Sequence, residues 1–161
     1  PDKIRIETIE YIANNEIVVD VYGHGWDKTL LRKNPHVSIN DALYGFEFWK
    51  ALRRYRVQLN IFREHNIGSH NMRTFEIPAC GGIQLAPFSE EQAAFFKENA
   101  EIFFYRSNKE LLSQIRSLLS TSIDKIDQYR LNARERSLNS GYSYHSRARQ
   151  VYDIFLECRN K

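Results

Sequence analysis

The sequence predicts an α/β fold: one Rossmann-like domain, residues 1–161, in which an open parallel sheet carries helices on both faces. Short apolar runs alternate with helical segments of about ten to fifteen residues, which is the pattern of right-handed βαβ units. The run IVVDVY, residues 17–22, is almost continuously apolar and stops at Gly23-His24-Gly25. Such a run is typical of a strand that is buried on both faces, as in a parallel sheet.

The remaining elements follow in chain order from the spacing of their apolar residues. Ile6, Ile9 and Ile12 recur at helical intervals, so the chain opens on an amphipathic helix that ends near Asn14. The strands are expected at residues 17–22, 37–39, 57–62, 83–86 and 102–105. The later helices are expected at residues 44–55, 72–79, 90–98, 108–119, 123–138 and 144–158. Gly81-Gly82 should end the helix over 72–79.

Two of these helices carry marked sets of apolar side chains. In the helix over 44–55, the residues expected to point inward are Phe46, Trp49, Ala51 and Leu52. In the helix over 144–158, the apolar residues are Ala148, Val151, Tyr152, Ile154 and Phe155. Gly141 should separate this last helix from the one before it.

Bulk composition places the chain among ordinary globular proteins. Apolar residues make up 42% of it and charged residues 27%. No stretch approaches the ~20 apolar residues of a membrane span, and the opening PDKIRIETIEY lacks the features of a secretory signal, so we expect a cytoplasmic protein. Cys80 and Cys158 have neither a disulfide framework nor a zinc-ligand spacing, and both are expected to be reduced thiols.

Basic residues are concentrated in the last forty positions, although the net charge is only +3. The arginines are Arg130, Arg134, Arg136, Arg147, Arg149 and Arg159. Acidic residues are interleaved with them at helical spacing, which favours solvated helix faces with local ion pairs over a nucleic-acid surface. We therefore expect no nucleic-acid partner.

The loop over residues 63–71 has the chemistry of a phosphate-binding turn. It follows a predicted strand and leads into a predicted helix, and in a doubly wound sheet ligands bind at such loops, beyond the carboxyl ends of the strands. Gly68 and Ser69 allow close approach of the backbone, and Ser69, His70 or Asn71 is expected to cap the helix. Arg73 adds a planar positive group that suits phosphate.

Glu76 completes this candidate site. A carboxylate in the first turns of the helix can accept a pair of hydrogen bonds from ribose hydroxyls. A purely structural interpretation stays open: Ser69 is then only a cap, Glu76 only compensates the helix dipole, and Arg73 is its surface partner.

The segment HNMRTFEIPACGGIQLAPFSE, which contains this site, resembles the signature of group 1 glycosyltransferases, particularly the branch similar to the spore-maturation protein CgeB. VYGHGW resembles the family's glycine-tryptophan strand end, EIFFYRSNKELLSQI its next strand and helix, and YSYHSRARQVYDIF its terminal helix, so the resemblance covers nearly the whole chain. It implies a two-domain GT-B enzyme, in which a carboxyl-terminal Rossmann-like domain binds a nucleotide sugar and an amino-terminal domain binds the acceptor. This chain resembles the carboxyl-terminal domain alone.

The resemblance also implies roles for individual residues. Glu76 would hold the ribose, while Ser69, His70, Asn71 and Arg73 would meet the diphosphate and sugar; Glu76 and Arg73 would serve catalysis. Many members of the family carry a glutamate eight residues before the position of Glu76, but Gly68 stands there in this chain. Because that glutamate contacts the transferred sugar, the donor sugar stays open.

As an activity, the resemblance implies a hexosyltransferase-type glycosyltransferase. Its substrate is a nucleoside-diphosphate sugar, no cofactor is expected, and a glycan or other acceptor would be held by the domain that this chain lacks. Departure of the diphosphate requires stabilisation of negative charge rather than a nucleophile in this domain. The isolated chain is therefore expected to bind the donor without transferring the sugar.

The turn after the first predicted strand contributes further candidates. Gly23, His24 and Trp26 in VYGHGW resemble the family's glycine-tryptophan strand end. Either His24 and Trp26 pack against the nucleotide base, or the aromatic residue covers the edge of the core. His65 and His70, beside Glu64, lack a convincing third ligand, so no metal site is expected.

One feature of the family is not found in this sequence. Its carboxyl-terminal domain opens with a strand before the first helix, and this strand would be central in a doubly wound sheet. Three explanations stay open. Residues 3–6 partly replace the strand, a partner chain fills the gap through self-association, or the sequence was cut close to the helix. Two other functions stay open: a non-catalytic nucleotide-binding regulatory domain, and an interaction module that uses the basic terminal helices.

Overall fold

The computed structural model describes residues 1–159 and contains parallel strands connected by helices. The strands are β1 (Val19–Tyr22), β2 (Val37–Asn40), β3 (Gln58–Leu59), β4 (Gln84–Pro87) and β5 (Phe103–Tyr105). The helices are α1 (Lys3–Ala13), α2 (Gly45–Arg54), α3 (Met72–Ala79), α4 (Glu90–Phe95), α5 (Asn108–Ser120), α6 (Ile123–Asn139) and α7 (Tyr144–Arg159). Two 3₁₀ turns, Leu30–Lys33 and Glu64–Asn66, lie in the loops. The predicted α/β alternation is confirmed.

All strand pairs are parallel, but they form two sheets rather than one. β1 pairs with β2, with Val19 opposite Val37, while β3, β4 and β5 form a second sheet in that order. Gln58 lies opposite Gln84, and Leu85 lies opposite Phe103. Within the described residues no strand connects β1 with β3. Residues 3–6 do not supply such a strand, since Lys3–Ala13 is helical.

Helix α1 joins the two sheets through its apolar side. Ile12 belongs to a buried cluster with Ile83 and Leu85 of the three-stranded sheet. Ile9 belongs to a second cluster that includes Val21 of β1 and Ile61, which follows β3. Because each cluster removes apolar surface from water, α1 stabilises the arrangement of both sheets.

Helix α6 is fixed by arginines that donate to the carbonyl ends of other helices. Arg130 donates to Arg53 and Tyr55 at the end of α2, at 3.1 and 3.3 Å. Arg134 and Arg136 do the same for α3 and α4, donating to Ala79 at 2.8 Å and to Phe95 at 2.9 Å. The last carbonyls of a helix lack intrahelical partners and carry partial negative charge, so these contacts are favourable. Arg130 also forms one of the expected local ion pairs, with Asp127 at 3.3 Å, whereas Arg136 lies 3.9 Å from Glu101, which is distant in the chain.

The end of α3 requires glycine at positions 81 and 82 for different reasons. Gly81 has φ of +73°, the left-handed conformation that ends many helices, and its N–H bonds the carbonyl of Pro78. Gly82 has an ordinary φ, but a Cβ atom there would lie 2.3 Å from the carbonyl oxygen of Leu52. The predicted helix stop is confirmed, and Gly82 also permits close contact between α2 and α3.

The prediction that Phe46 and Trp49 point inward is wrong. Phe46 is 71% exposed and Trp49 is 42% exposed, whereas Leu52 is buried as expected. The inward stripe consists of Phe48, Ala51, Leu52 and Tyr55, which follow one another across the helix at spacings of three and four, so Ala51 faces inward as expected. Phe46 and Trp49 lie on other sides of the helix, and the exposed ring of Phe46 instead contacts the ammonium of Lys50.

The apolar side chains of α7 also lie outside the core. No residue of α7 is buried among those that the structure describes, and Val151, Tyr152, Ile154 and Phe155 are each about 60% exposed or more. The periodicity of these residues predicted the helix correctly. It did not predict burial, because burial requires a second surface against which the helix can pack.

Candidate functional site

A cavity of about 580 Å³ lies between the edges of β1 and β3. The chain builds β1 and β2, then crosses to β3, so this is the point at which the order of strands reverses. In open α/β sheets, ligands bind in the crevice beyond the carboxyl ends of the strands at such a point. Three of the predicted site residues line this cavity, namely Gly23, Trp26 and Arg73.

The other predicted site residues lie outside the lining of this cavity. They are His24, Gly68, Ser69, His70, Asn71 and Glu76. Most of them lie in the loop between β3 and α3 or in α3 itself. The predicted site residues therefore fall into two groups, one that lines the cavity and one in the loop before α3. Arg73 belongs to both, because it lies on α3 and lines the cavity.

Asn71 caps helix α3, and Asn60 holds it in place. The side-chain oxygen of Asn71 accepts from the N–H of Thr74, and the Thr74 hydroxyl accepts from the N–H of Asn71, both at 3.3 Å. Asn60, which is buried, exchanges hydrogen bonds with the Asn71 amide at 3.1 and 2.9 Å. Of the three expected caps, Asn71 is the one observed, and this arrangement is a reciprocal capping box.

Ser69 and His70 turn toward α4. The Ser69 hydroxyl donates to Oε2 of Glu91 at 2.6 Å, and Nδ1 of His70 lies 3.0 Å from the same oxygen. The hydrogen bond from Ser69, followed by that from His70, holds the pKa of Glu91 below its ordinary value. The side chains of Ser69 and His70 therefore anchor the loop here, and their contact with a diphosphate stays a prediction.

Gly68 adopts a backbone conformation that favours glycine. Its φ is +83°, and a Cβ atom placed on it would meet no atom within 4 Å. The left-handed conformation disfavours other residues, so a glycine here shapes the turn without creating a close contact. The open space beside Gly68 leaves this turn accessible from solvent.

Arg73 and Glu76 form a close ion pair on successive turns of α3. Nη1 of Arg73 donates to Oε2 of Glu76, and the guanidinium group stacks 4.2 Å from the ring centroid of Phe48. The Glu76 side chain is about one quarter exposed. The aromatic ring and the carboxylate fix the direction of the guanidinium, which keeps its positive charge at the cavity.

The turn after β1 brings Gly23 and Trp26 together. Gly23 has φ of +132°, and a Cβ atom there would lie 3.6 Å from the indole nitrogen of Trp26. Trp26 is only 9% exposed and packs in the cluster of Ile9 and Val21. It therefore covers the edge of the core and lines the cavity at the same time. His24 lies apart, with Nε2 3.0 Å from the hydroxyl of Tyr44.

Two tyrosines that the sequence did not single out meet at this cavity. The hydroxyl oxygens of Tyr22, at the carboxyl end of β1, and Tyr55, after α2, lie 2.5 Å apart. Burial, and then the hydrogen bond to Tyr22, raises the pKa of Tyr55. Tyr22 ends the predicted strand, so its position was evident, but its partner lies 33 residues away and no local pattern indicates the pairing.

A second, smaller cavity of about 330 Å³ lies beyond the carboxyl ends of β4 and β5. Arg106 lines it, stacks on Phe88 at 4.0 Å and pairs with Glu98 and Glu110. These carboxylates raise the pKa of the Arg106 guanidinium. The positive charge of Arg106 is thus compensated by the carboxylates of Glu98 and Glu110.

Residues 1–159 were expected to hold neither a metal site nor a membrane span. Residues 1–159 contain no group of three or more histidine, cysteine, aspartate or glutamate side chains placed to hold a metal ion. In the same range, every helix is too short or too polar to cross a bilayer. The described part therefore offers neither a metal centre nor a membrane-spanning helix.

Comparison with solved structures shows the fold of this chain in larger proteins. A glycosyltransferase from Rickettsia africae ESF-5 has a TM-score of 0.73 and 12% identity, with 98% of this chain and 46% of that chain covered. TarM has a TM-score of 0.71 and 14% identity, with 95% of this chain and 32% of that chain covered. The chain thus spans less than half the length of both. The likeness confirms the predicted fold class.

Comparison of the sequence itself identifies the family. No curated protein sequence matches the chain significantly. The family described as glycosyl transferase-like matches residues 5–153, which is nearly the whole chain. This chain therefore belongs to the glycosyl transferase-like family.

Proposed function

We propose that this chain is the donor-binding domain of a GT-B glycosyltransferase of the CgeB-like branch, hexosyltransferase in type. It binds a nucleoside-diphosphate sugar, and the sugar passes to a glycan or other acceptor held by a second domain. One observation carries the proposal: Gly23 and Trp26 from one half of the chain and Arg73 from the other line a single cavity where the strand order reverses.

Arg73 supports this proposal by its charge and its fixed direction. Transfer of the sugar leaves a nucleoside diphosphate, on which negative charge develops in the transition state. A guanidinium held by Phe48 and Glu76 needs little reorganisation to meet that charge, and its planar donors suit phosphate oxygens. The N-cap of α3, Asn71, lies two residues before Arg73 in the chain, and the amino-terminal end of the helix adds a partial positive charge.

Glu76 is proposed to hold the ribose. Arg73 donates to its Oε2, so Oε1 is the oxygen that we expect to accept from a ribose hydroxyl. Trp26 and His24 then flank the base, while the turn at Gly68, with Ser69 and His70, meets the phosphates or sugar. In this arrangement the Arg73–Glu76 pair couples recognition of the ribose to recognition of the diphosphate.

The acceptor is assigned to a second domain because this chain spans less than half of the solved glycosyltransferase. We propose that the isolated chain binds the donor and does not transfer its sugar. We place the enzyme in the cytoplasm. Its donor substrate is a nucleotide sugar, and no cofactor is proposed. Measurable sugar transfer by this chain alone would contradict the assignment of the acceptor site.

A thermal-shift screen tests donor binding directly. A ligand that binds only the folded state stabilises it by about 2.7 kcal/mol at a hundred times its Kd. We expect a uridine, guanosine or thymidine diphosphate sugar to raise Tm, and Glu76→Ala to abolish the shift. Glu135→Ala, which changes an exposed carboxylate on α6, is the matched control and should keep the shift. No shift with any donor at millimolar concentration would refute the proposal.

Adding free nucleoside diphosphates, RNA and DNA to the same screen separates the two alternative functions. A non-catalytic regulatory domain would bind the free nucleoside diphosphate as tightly as the sugar conjugate. An interaction module based on the terminal helices would bind RNA or DNA with strong salt dependence. The structure gives no added support to the module, since Arg130, Arg134 and Arg136 are engaged with carbonyl oxygens at the ends of other helices.

A further inference from the structure

The first turn of α3 is attached to the core by a polar side chain. Of Met72, Arg73 and Thr74, only Thr74 is buried. The buried apolar residues of this helix, Ile77 and Pro78, lie in the following turn. Apolar contacts have no preferred direction, whereas a hydrogen bond requires a narrow range of distances and angles. The hydrogen bonds of Thr74 therefore determine how precisely the turn that carries Arg73 is placed.

The Thr74 hydroxyl makes three contacts. It accepts from the backbone N–H of Asn71 at 3.3 Å and from the side-chain amide of Asn60 at 3.5 Å. Its proton is donated to Oε1 of Gln92, on α4, at 3.2 Å. Because a hydroxyl has a single proton, the bond to Gln92 fixes the directions of the two lone pairs that accept from Asn71 and Asn60.

The side-chain amide of Gln92 is itself held at both of its ends. Oε1 also accepts from Nε2 of Gln84, on β4, at 3.2 Å, and Nε2 donates to the carbonyl oxygen of Pro87 at 3.0 Å. Gln84 and Gln92 are both fully buried. A buried amide costs free energy unless it is hydrogen-bonded, whereas an apolar residue of similar size has no such requirement. These bonds place Oε1 of Gln92 at a fixed position relative to β4.

The backbone of Gln92 is connected to the loop before α3. Its N–H donates to the Ser89 hydroxyl at 3.2 Å, and that hydroxyl donates to the carbonyl oxygen of Ser69 at 2.8 Å. Gln92 is buried and lies outside the lining of the larger cavity. It is therefore placed to act on the loop and on α3 without touching a bound ligand.

We propose that Gln92 is a positioning residue of the donor site. Its amide orients the Thr74 hydroxyl and thereby holds the first turn of α3, so that Arg73 and Glu76 keep their positions at the cavity. The effect on donor binding rests on the proposed function of Arg73 and Glu76. The coupling between Gln92 and Arg73 is a property of the chain without a ligand, and it can be measured separately.

The contact of Arg73 with Phe48 supplies a spectroscopic signature of this coupling. The guanidinium lies 4.2 Å from the ring centroid, so the ring current moves the side-chain proton signals of Arg73 upfield in NMR spectra. Gln92→Met should reduce this upfield shift, because the first turn of α3 loses its fixed position. Thr74→Val should reduce it as well, whereas Thr74→Ser, which keeps the hydroxyl, should preserve it.

Ile126→Val is the control for a loss of stability alone. Ile126 is fully buried in the cluster of Ile12 and Leu85, and its shortening lowers Tm without removing a polar contact. The Arg73 signals should stay unchanged in this variant. If Ile126→Val reduced the upfield shift as strongly as Gln92→Met, the effect would be one of general destabilisation and the proposal would be overturned.

The double variant tests whether Gln92 acts through Thr74. Residues of one hydrogen-bond network have effects that do not add, so Gln92→Met should change the Arg73 shift little once Thr74→Val is present. Persistence of its full effect in that background would overturn the proposal. A wild-type Arg73 shift in Gln92→Met would do the same. If Gln92→Met does not fold, a wild-type shift in Thr74→Val is the result that overturns it.

Calorimetry provides the functional measurement, with the uridine, guanosine or thymidine diphosphate sugar that raises Tm. Gln92→Met and Thr74→Val should each raise its Kd by about tenfold, a typical coupling between contacting residues, and Ile126→Val should leave it unchanged. A wild-type Kd in Gln92→Met would refute the positioning role while donor binding stood. If no donor bound the wild-type chain, the proposed function would fail, and the Arg73 signals would still show whether Gln92 positions Arg73.

Discussion

Nη2 of Arg130 on α6 donates a hydrogen bond of 3.1 Å to the carbonyl oxygen of Arg53, in the last turn of α2. The side chain of Arg130 is only 17% exposed, so its charge is partly removed from water and compensated by carbonyl groups. Arg134 and Arg136 repeat the arrangement at α3 and α4. Helix α6 thus fixes the three helices that surround the candidate site, and its arginines are structural.

Replacing Arg130 with methionine should destabilise the fold. Hydrogen bonds to charged groups contribute about 1.5–3 kcal/mol each, and methionine keeps most of the packing volume while it leaves the carbonyls of Arg53 and Tyr55 without this donor. We expect a loss of about 2 kcal/mol, measured by urea unfolding as a lower midpoint at constant m-value. Arg149→Met on the exposed face of α7 is the control and should change the midpoint little. Equal midpoints for both variants would contradict the role of Arg130.

Alanine at Gly82 should destabilise the protein more than alanine at Gly81. At Gly82 the new methyl group would lie 2.3 Å from the carbonyl oxygen of Leu52 and 2.8 Å from Ile77 Cγ2, so α2 and α3 must move apart. Overpacking of this kind costs about 1–3 kcal/mol. At Gly81 the space is open, and the penalty is about 1 kcal/mol for a left-handed backbone. Urea unfolding of the two variants measures the order, and the reverse order would refute the close approach at Gly82.

The sequence predicted the helices and strands well because their signals are local. The run of residues 17–22 and the apolar spacing in α5 each specify an element without knowledge of its neighbours. The side of α2 that faces inward was predicted wrongly. The spacing of Phe48, Ala51, Leu52 and Tyr55 does indicate a stripe, whereas the contact of Phe48 with Arg73 on α3 joins distant positions and had no local signal.

The candidate site shows the same division between local and distant information. The capping box at Asn71 lies within four residues, and a cap in this stretch was expected. The contact of Ser69 and His70 with Glu91 joins positions more than twenty residues apart, and Asn60 reaches Asn71 across a loop. A single sequence carries no signal for such pairs, because any exposed glutamate has the same local pattern.

Ionised Glu91 should stabilise the anchored loop at neutral pH and lose that effect in acid. Its pKa is lowered in the folded protein, chiefly by the hydrogen bond from Ser69, so the folded state favours the carboxylate. The contribution is complete above the ordinary pKa of a glutamate, about 4.3, and disappears as pH falls through the lower folded pKa.

An NMR titration of the Glu91 side-chain carboxyl carbon measures this effect. Ser69→Ala should raise the pKa of Glu91 toward its ordinary range, because the donor at 2.6 Å is lost. Ser120→Ala removes a hydroxyl that bonds the carbonyl of Ser117 on α5 and should leave the titration unchanged. An unaltered titration of Glu91 in Ser69→Ala would show that Ser69 does not hold the carboxylate.

Trp26 should report donor binding by its fluorescence. It is nearly buried and lines the cavity, whereas Trp49, the other tryptophan, is 42% exposed and lies outside the cavity lining. A nucleotide base that packs near Trp26 changes the polarity around its indole ring, so the emission should shift when a nucleoside-diphosphate sugar is added. Trp49→Phe should keep this change and Trp26→Phe should lose it. If the change instead followed Trp49, the donor would bind on the outer side of α2, and the cavity between β1 and β3 would not be its site.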